Sequence, residues 1–131
     1  MVNDPVGDLI IRLANAGAAG KPVVSVPFSN LKMAIVEKLK EAGFVASVEK
    51  KGKKVKKTID VTLAQKADGS NRIEGVKRVS KPGRRMYRSV IEIVPVRYGR
   101  GALILSTPAG ILTDKEARTQ KVGGEALFEI W

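Results

Sequence analysis

Four short stretches hold the side chains that could do chemistry. Ser29-Asn30-Leu31-Lys32 has the Ser-x-x-Lys spacing of some acyl-transfer enzymes, but the Ser-Asp-Asn and Lys-Thr-Gly partners of that mechanism are missing. A helix-capping serine followed one turn later by an exposed lysine explains the same residues. Such a cap presents free backbone N–H groups and a positive dipole end, which makes Ser29, Asn30 and Lys32 a candidate phosphate contact. Tyr98-Gly99-Arg100-Gly101 resembles the start of a nucleotide loop. It lacks the third glycine and leads into the strand-like Leu103-Ile104-Leu105, so a tight turn before a buried strand is expected. Ser106-Thr107-Pro108-Ala109-Gly110 places two hydroxyls at a turn of small residues, where another backbone could approach closely. No base accompanies these hydroxyls, and a plain turn is the competing reading. Lys81-Pro82-Gly83-Arg84-Arg85-Met86-Tyr87-Arg88 displays four cations and one aromatic ring on a Pro-Gly turn. Tyr87 could stack on an unpaired base or lie in the core with its hydroxyl in water.

The chain contains no histidine and no cysteine. Imidazole bases, thiolate nucleophiles, disulfides and zinc sites of the usual ligands are therefore excluded, and an oxidising compartment is not needed. Asp60, Asp68 and Glu74 are the acids nearest the basic stretches, and they lack the clustering that a carboxylate-metal nuclease requires. No catalysis and no cofactor are expected. Lys and Arg outnumber Asp and Glu by 24 to 13, a formal charge of +11. The excess is concentrated. Lys50, Lys51, Lys53, Lys54, Lys56 and Lys57 form one run, and Lys77, Arg78, Lys81, Arg84, Arg85 and Arg88 form another without an intervening acid. One run could be a solvated face; two beside an apolar core favour a polyanion-binding surface. A membrane-surface role would want cations flanking an amphipathic helix, whereas these lie in strands and turns. No signal-peptide pattern is present, and no apolar run approaches the roughly 18–20 residues that span a bilayer, so a cytosolic protein is expected.

The elements that must position these residues read as α+β in two small lobes. Asp4 caps a helix with Pro5 at its first position and Val6, Leu9, Ile10 and Leu13 as the buried stripe; Asp8, Arg12 and Asn15 take the wet face, and Asn15-Ala16-Gly17 ends it. Val23 to Val26 is a strand closed by Pro27. Ser29 opens a second helix with Leu31, Ala34, Ile35, Leu39 and Ala42 facing inward and Gly43 as its left-handed end. Val45 to Lys50 and Lys54 to Leu63 form a hairpin around Gly52, with the lysine run at its tip. The N-terminal lobe, residues 1–64, is thus α-β-α-β-β. Residues 65–72 form a polar linker around Asp68-Gly69-Ser70. The C-terminal lobe, residues 73–131, is mainly antiparallel β, with strands at Ile73 to Val79, Met86 to Ser89, Leu103 to Ser106, Ile111-Leu112 and Ala126 to Trp131. Its one short helix begins at the capping box Thr113-Asp114-Lys115-Glu116.

Three runs carry a family resemblance. They are Arg78-Val79-Ser80-Lys81-Pro82-Gly83-Arg84-Arg85-Met86-Tyr87, the stretch from Gly99 to Arg118 containing Ser106-Thr107-Pro108-Ala109-Gly110-Ile111-Leu112-Thr113-Asp114, and Val122-Gly123-Gly124-Glu125. With Asp4-Pro5-Val6-Gly7-Asp8 they closely resemble, nearly end to end, the bacterial form of the eighth protein of the small ribosomal subunit. The resemblance implies a primary binder of 16S ribosomal RNA that docks on an irregular helix of the central domain and helps the platform assemble. It implies neighbouring small-subunit proteins as partners and no membrane. In some bacteria the family's protein also binds its own operon's messenger RNA and represses translation, and a stand-alone repressor or RNA chaperone would use the same surfaces. By this resemblance Ser106, Thr107, Ala109 and Gly110, with Tyr87 nearby, select the RNA, and Ser29, Asn30 and Lys32 add backbone contacts. Pro108 and Ala109 stand where many members have a serine and a lysine, and Asn30 where a basic residue is common, so affinity should fall at those points. The expected mechanism has two layers. The hairpin lysines, Lys54 and Lys56 among them, and Lys81, Arg84, Arg85 and Arg88 neutralise phosphates, while the hydroxyl loop and Tyr87 supply selectivity.

Overall fold

The computed structural model describes residues 4–52 and 57–131. Helix α1 (Pro5–Ala19) starts where Asp4 accepts a hydrogen bond from the Gly7 N–H, and it buries Val6, Leu9, Ile10 and Leu13. It runs past Asn15-Ala16-Gly17 because Gly20, at φ 71°, supplies the left-handed cap instead. Strand β1 (Val23–Pro27) leads to α2 (Asn30–Glu41), capped by the Ser29 hydroxyl on the Lys32 N–H at 3.1 Å. That cap sets the helix phase so that Lys32, Ile35, Val36 and Leu39 face inward, while Leu31 and Ala42 point outward. Ile35 and Leu39 are buried as expected, but the edges of the stripe differ: Lys32 and Val36 are buried, and Leu31 and Ala42 are not. Gly43 follows at φ 91°. Strands β2 (Val45–Lys51) and β3 (Thr58–Leu63) complete an antiparallel sheet of order β1-β3-β2.

The 65–72 segment is a closed loop, bridged from Gln65 to Asn71. It docks on the first lobe through Asn71 to the Gly17 carbonyl (3.1 Å) and Arg72 over the Phe44 ring (4.3 Å). Beyond it, β4 (Val76–Arg78), β5 (Tyr87–Arg88), β6 (Ala102–Thr107), β7 (Gly110–Thr113) and β8 (Gly124–Ile130) form a second antiparallel sheet, ordered β4-β8-β6-β7 with β5 also on β8. The first strand is shorter than expected. Glu74 and Gly75 are held by the Trp131 backbone rather than by a ladder. Helix α3 (Asp114–Gln120) begins at the expected Thr113–Glu116 capping box.

The second sheet is covered on both faces. Ile104, Phe128 and Ile130 join one continuous core with Leu9, Leu13, Ile35 and Ile59 of the first lobe. Leu103, Leu105 and Ala126 pack on the other face against Ala117 of α3 and against Ile93 and Val96. Among the described residues two ion pairs bridge the lobes. Arg78 grips both carboxylate oxygens of Asp4, one at 2.6 Å, and holds the Asp4 carboxyl below the usual range, chiefly by that hydrogen bond. Lys38 of α2 binds Glu116 of α3 at 2.9 Å. The hydrogen bonds that Lys38 donates to Glu116 and then to Glu41 raise its pKa. Burial works to raise Glu116, but its bonds with Lys38 and Thr113 prevail and lower it.

Candidate nucleic-acid interface

Strand alternation splits the second basic run between two surfaces. Ser80, buried, holds the base of the Lys81–Arg84 turn: its hydroxyl accepts from the Met86 N–H at 2.7 Å and donates to the Met86 carbonyl at 3.2 Å. From this base Arg84, Met86 and Arg88 line one side of the strand. With Lys77 and Lys81 they enclose an open groove of about 300 Å³ bearing one acid, Glu129. Arg85 and Tyr87 go to the other side. Arg85 pairs with Glu125 at 3.1 Å.

Register then aligns residues that are far apart in sequence. Tyr87 lies opposite Glu125, Glu125 opposite Ser106, and Ser106 opposite Ile111. Directly paired residues of antiparallel strands share a face, so these four side chains form one row across β5, β8, β6 and β7. Tyr87 is 69% exposed, so the reading of it as a core residue fails. Glycine makes the row compact. A Cβ on Gly124 would lie against the Ser106 carbonyl and 3.0 Å from Thr107 Cα, and one on Gly123 would lie 3.0 Å from Ser89 Cα. Beside the row a cleft of about 150 Å³ is lined by Leu31, Arg78, Pro82, Arg85 and Glu125, which brings the start of α2 to the same edge.

The hydroxyl loop is internally braced. Thr107 Oγ1 donates to the Gly110 carbonyl at 2.8 Å and accepts from the Ala109 N–H at 3.1 Å, while Gly110 turns at φ 112°. The Thr107 hydroxyl shapes the loop, and Ser106 carries the hydroxyl that lies in the row with Tyr87. Asn30 is exposed. Lys32 is not the exposed cation expected from the sequence: it is 6% exposed, because the cap turns its stem onto the core. In the first hairpin, Lys50 lies over the Phe28 ring at 4.4 Å and Lys51 pairs with Asp60 at 3.2 Å. Lys54 and Lys56 lie outside the described residues. Glu125, set between Tyr87 and Ser106, was not among the candidate site residues expected from the sequence; its place after the Gly123-Gly124 pair was the available signal.

Asp60 is paired with Lys51, Glu74 with Lys66, and Asp68 with the Ser70 hydroxyl; among the described residues no three acids group as metal ligands. The Tyr98–Gly101 segment turns tightly into β6, as expected, with Gly99 at φ 89°. Among the described residues no helix is long and apolar enough to cross a membrane.

Residues 4–131 match the protein family described as Ribosomal protein S8. The chain belongs to that family. Curated relatives match along their full length. The small ribosomal subunit protein uS8 of Chloroflexus aurantiacus is 47% identical over 132 residues, covering 99% of this chain and 98% of that protein. The protein of the same name from Mycoplasma mobile is 44% identical over 131 residues, covering 100% and 98%. That from Kosmotoga olearia is 43% identical over 134 residues, covering the whole of both. The S8 family is one of ribosomal structural proteins, not enzymes.

Proposed function

We propose that this S8-family chain acts in the cytoplasmic ribosome as a primary 16S ribosomal RNA binder, holding an irregular central-domain helix and helping the platform of the small subunit to assemble. The observation that carries this reading is the row Tyr87–Glu125–Ser106, set in a chain of charge +11. A-form RNA hides its base edges in a deep, narrow groove, so selective recognition falls on unstacked bases, 2′-hydroxyls and shape. Tyr87 offers a flat face for a splayed base. Ser106 can donate and accept, as a 2′-hydroxyl or base edge requires, and the braced Thr107–Gly110 loop lets the RNA backbone come close. Glu125 contributes by exclusion. A carboxylate beside the row repels phosphates and favours base amino groups and hydroxyls, so the row admits bases and turns the sugar-phosphate chain toward the Lys77–Arg88 groove. That groove, with Lys81, Arg84 and Arg88, supplies the phosphate contacts; Ser29 and the exposed Asn30 at the start of α2 supply further contacts from the N-terminal lobe.

In this reading residues 1–64 and 73–131 are two arms of one grip, with 65–72 as the tie between them. Translational repression would need no additional surface, because an operon messenger folded like the ribosomal helix would compete for the same row. Hydroxyl-radical footprinting on small-subunit ribosomal RNA tests the proposal. Protection of one short irregular central-domain helix is expected; diffuse protection across many duplexes would refute it.

A further inference from the structure

The segment from Ser89 to Gly101 connects β5 to β6 and is fixed along its length. Ser89 donates its N–H and its hydroxyl to Glu92, each at 2.9 Å. Ile93 and Val96 are buried in the second cluster, and the Gly99 and Gly101 N–H groups both reach the Val96 carbonyl, at 3.0 and 3.1 Å. Arg97 stacks on the Trp131 ring, 3.9 Å from its centroid.

Between these anchors the segment pushes apolar side chains into water. Ile91 is 92% exposed, Val94 58% and Tyr98 103%. Arg97 and Tyr98 hold positive φ values of 47° and 57°, which non-glycine residues seldom adopt, and this backbone turns the Tyr98 ring fully outward. Pro95, Arg97, Tyr98 and Arg118 line an open cleft there of about 600 Å³. Because Ile93 and Val96 cover the face of the sheet opposite to Ile104 and Phe128, the patch lies across the sheet from the Tyr87–Ser106 row.

Aliphatic groups such as Ile91 and Val94 have no π-face for a base, so exposing them gains nothing toward RNA, whereas buried apolar anchors are what protein interfaces use. From Ser89 to Gly101 the segment carries two arginines, Arg97 and Arg100, and one acid, Glu92, which is bound to Ser89; Arg118 lines the same cleft. The complementary surface is therefore apolar with a carboxylate rim. We propose that this patch docks a neighbouring protein of the small ribosomal subunit that presents apolar side chains ringed by Asp or Glu. The proposal rests on family membership and not on how the opposite face reads RNA.

Photo-crosslinking tests it. The full chain carrying para-benzoylphenylalanine in place of Tyr98 is assembled into small subunits with all their components and irradiated. An adduct to one ribosomal protein, at a peptide with apolar residues beside Asp or Glu, is the expected result. An adduct to ribosomal RNA or to a second copy of this chain, or no adduct in subunits that contain the chain, overturns it. In parallel, the Ile91→Asp, Tyr98→Asp double variant competes with the unaltered chain for assembly. We expect it to enter subunits about tenfold less well, the loss typical of removing interface anchors, with affinity for an isolated central-domain RNA unchanged. Equal incorporation overturns the proposal, and so does a loss of affinity for the isolated RNA, which would make the patch an RNA contact. The unaltered chain's affinity for that RNA reports separately on the function proposed above.

Discussion

Tyr87 and Glu125 are neighbours with opposite duties in the proposed grip. The ring is presented in water at the rim of the sheet, where a base can stack on it. Tyr87→Ala should weaken binding to a central-domain RNA by about 1–3 kcal/mol, measured by filter binding, with thermal stability unchanged. An unchanged affinity would remove the stacking role. Glu125 is mostly covered and tied to Arg85. Glu125→Gln keeps its shape but removes the charge that repels phosphate and frees Arg85. Its affinity for an arbitrary duplex should rise, and the ratio of cognate to arbitrary binding should fall. A ratio equal to that of the unaltered chain would show that the carboxylate does not discriminate.

The strands bring these residues together, and here the limits of sequence reading have a physical cause. Caps and periodicity are local, so Asp4, Ser29 and Thr113 announced the starts of the α-helices among the described residues. Ile35 and Leu39 of α2 were placed correctly, but the edges of that face were misread because the stem of a lysine can bury as a hydrocarbon while Leu31 stays exposed. The partnership of Tyr87 with Ser106 was visible only as a resemblance. It depends on the register of β5 and β6 against β8, and β6 and β8 slip at Ile104–Leu105. The split of Arg84 and Arg88 from Arg85 follows simple strand alternation, yet the basic run had been read as one surface. Gly124 fixes the spacing of these strands against backbone atoms that cannot swing aside. Gly124→Ala should therefore destabilise the fold by about 1–3 kcal/mol in chemical denaturation, as overpacking does, and displace Tyr87 from Ser106. Full stability would mean that the sheet gives more easily than its packing implies.

For the molecule as a whole, charge sets strength and the lobe contacts set stability. Replacing Lys77, Lys81 and Arg84 by Gln should weaken binding to all RNAs alike and flatten the slope of log affinity against log salt by about 2–3, near one unit per lost phosphate contact. A loss confined to the cognate RNA would contradict this division of labour. The Asp4–Arg78 bridge gives a pH signature. The Asp4 carboxyl is lowered in the fold, so its contribution is complete above its unfolded value near 3.8 and disappears as pH falls through the lower folded value. Asn caps helices as well as Asp does, so Asp4→Asn isolates the charge. It should cost on the order of 1 kcal/mol at neutral pH, within the range of partly exposed pairs, and nothing in strong acid. Denaturation curves at the two pH values decide it.

The apolar interior is undivided: Leu9 and Ile35 from one end of the chain meet Phe128 and Ile130 from the other. A ribosome synthesising the chain from its N-terminus would thus release a first half whose greasy flank stays uncovered until the last strand emerges. Productive collapse must wait for β8, and a chain cut short before that strand would be sticky and a natural substrate for chaperones or proteases.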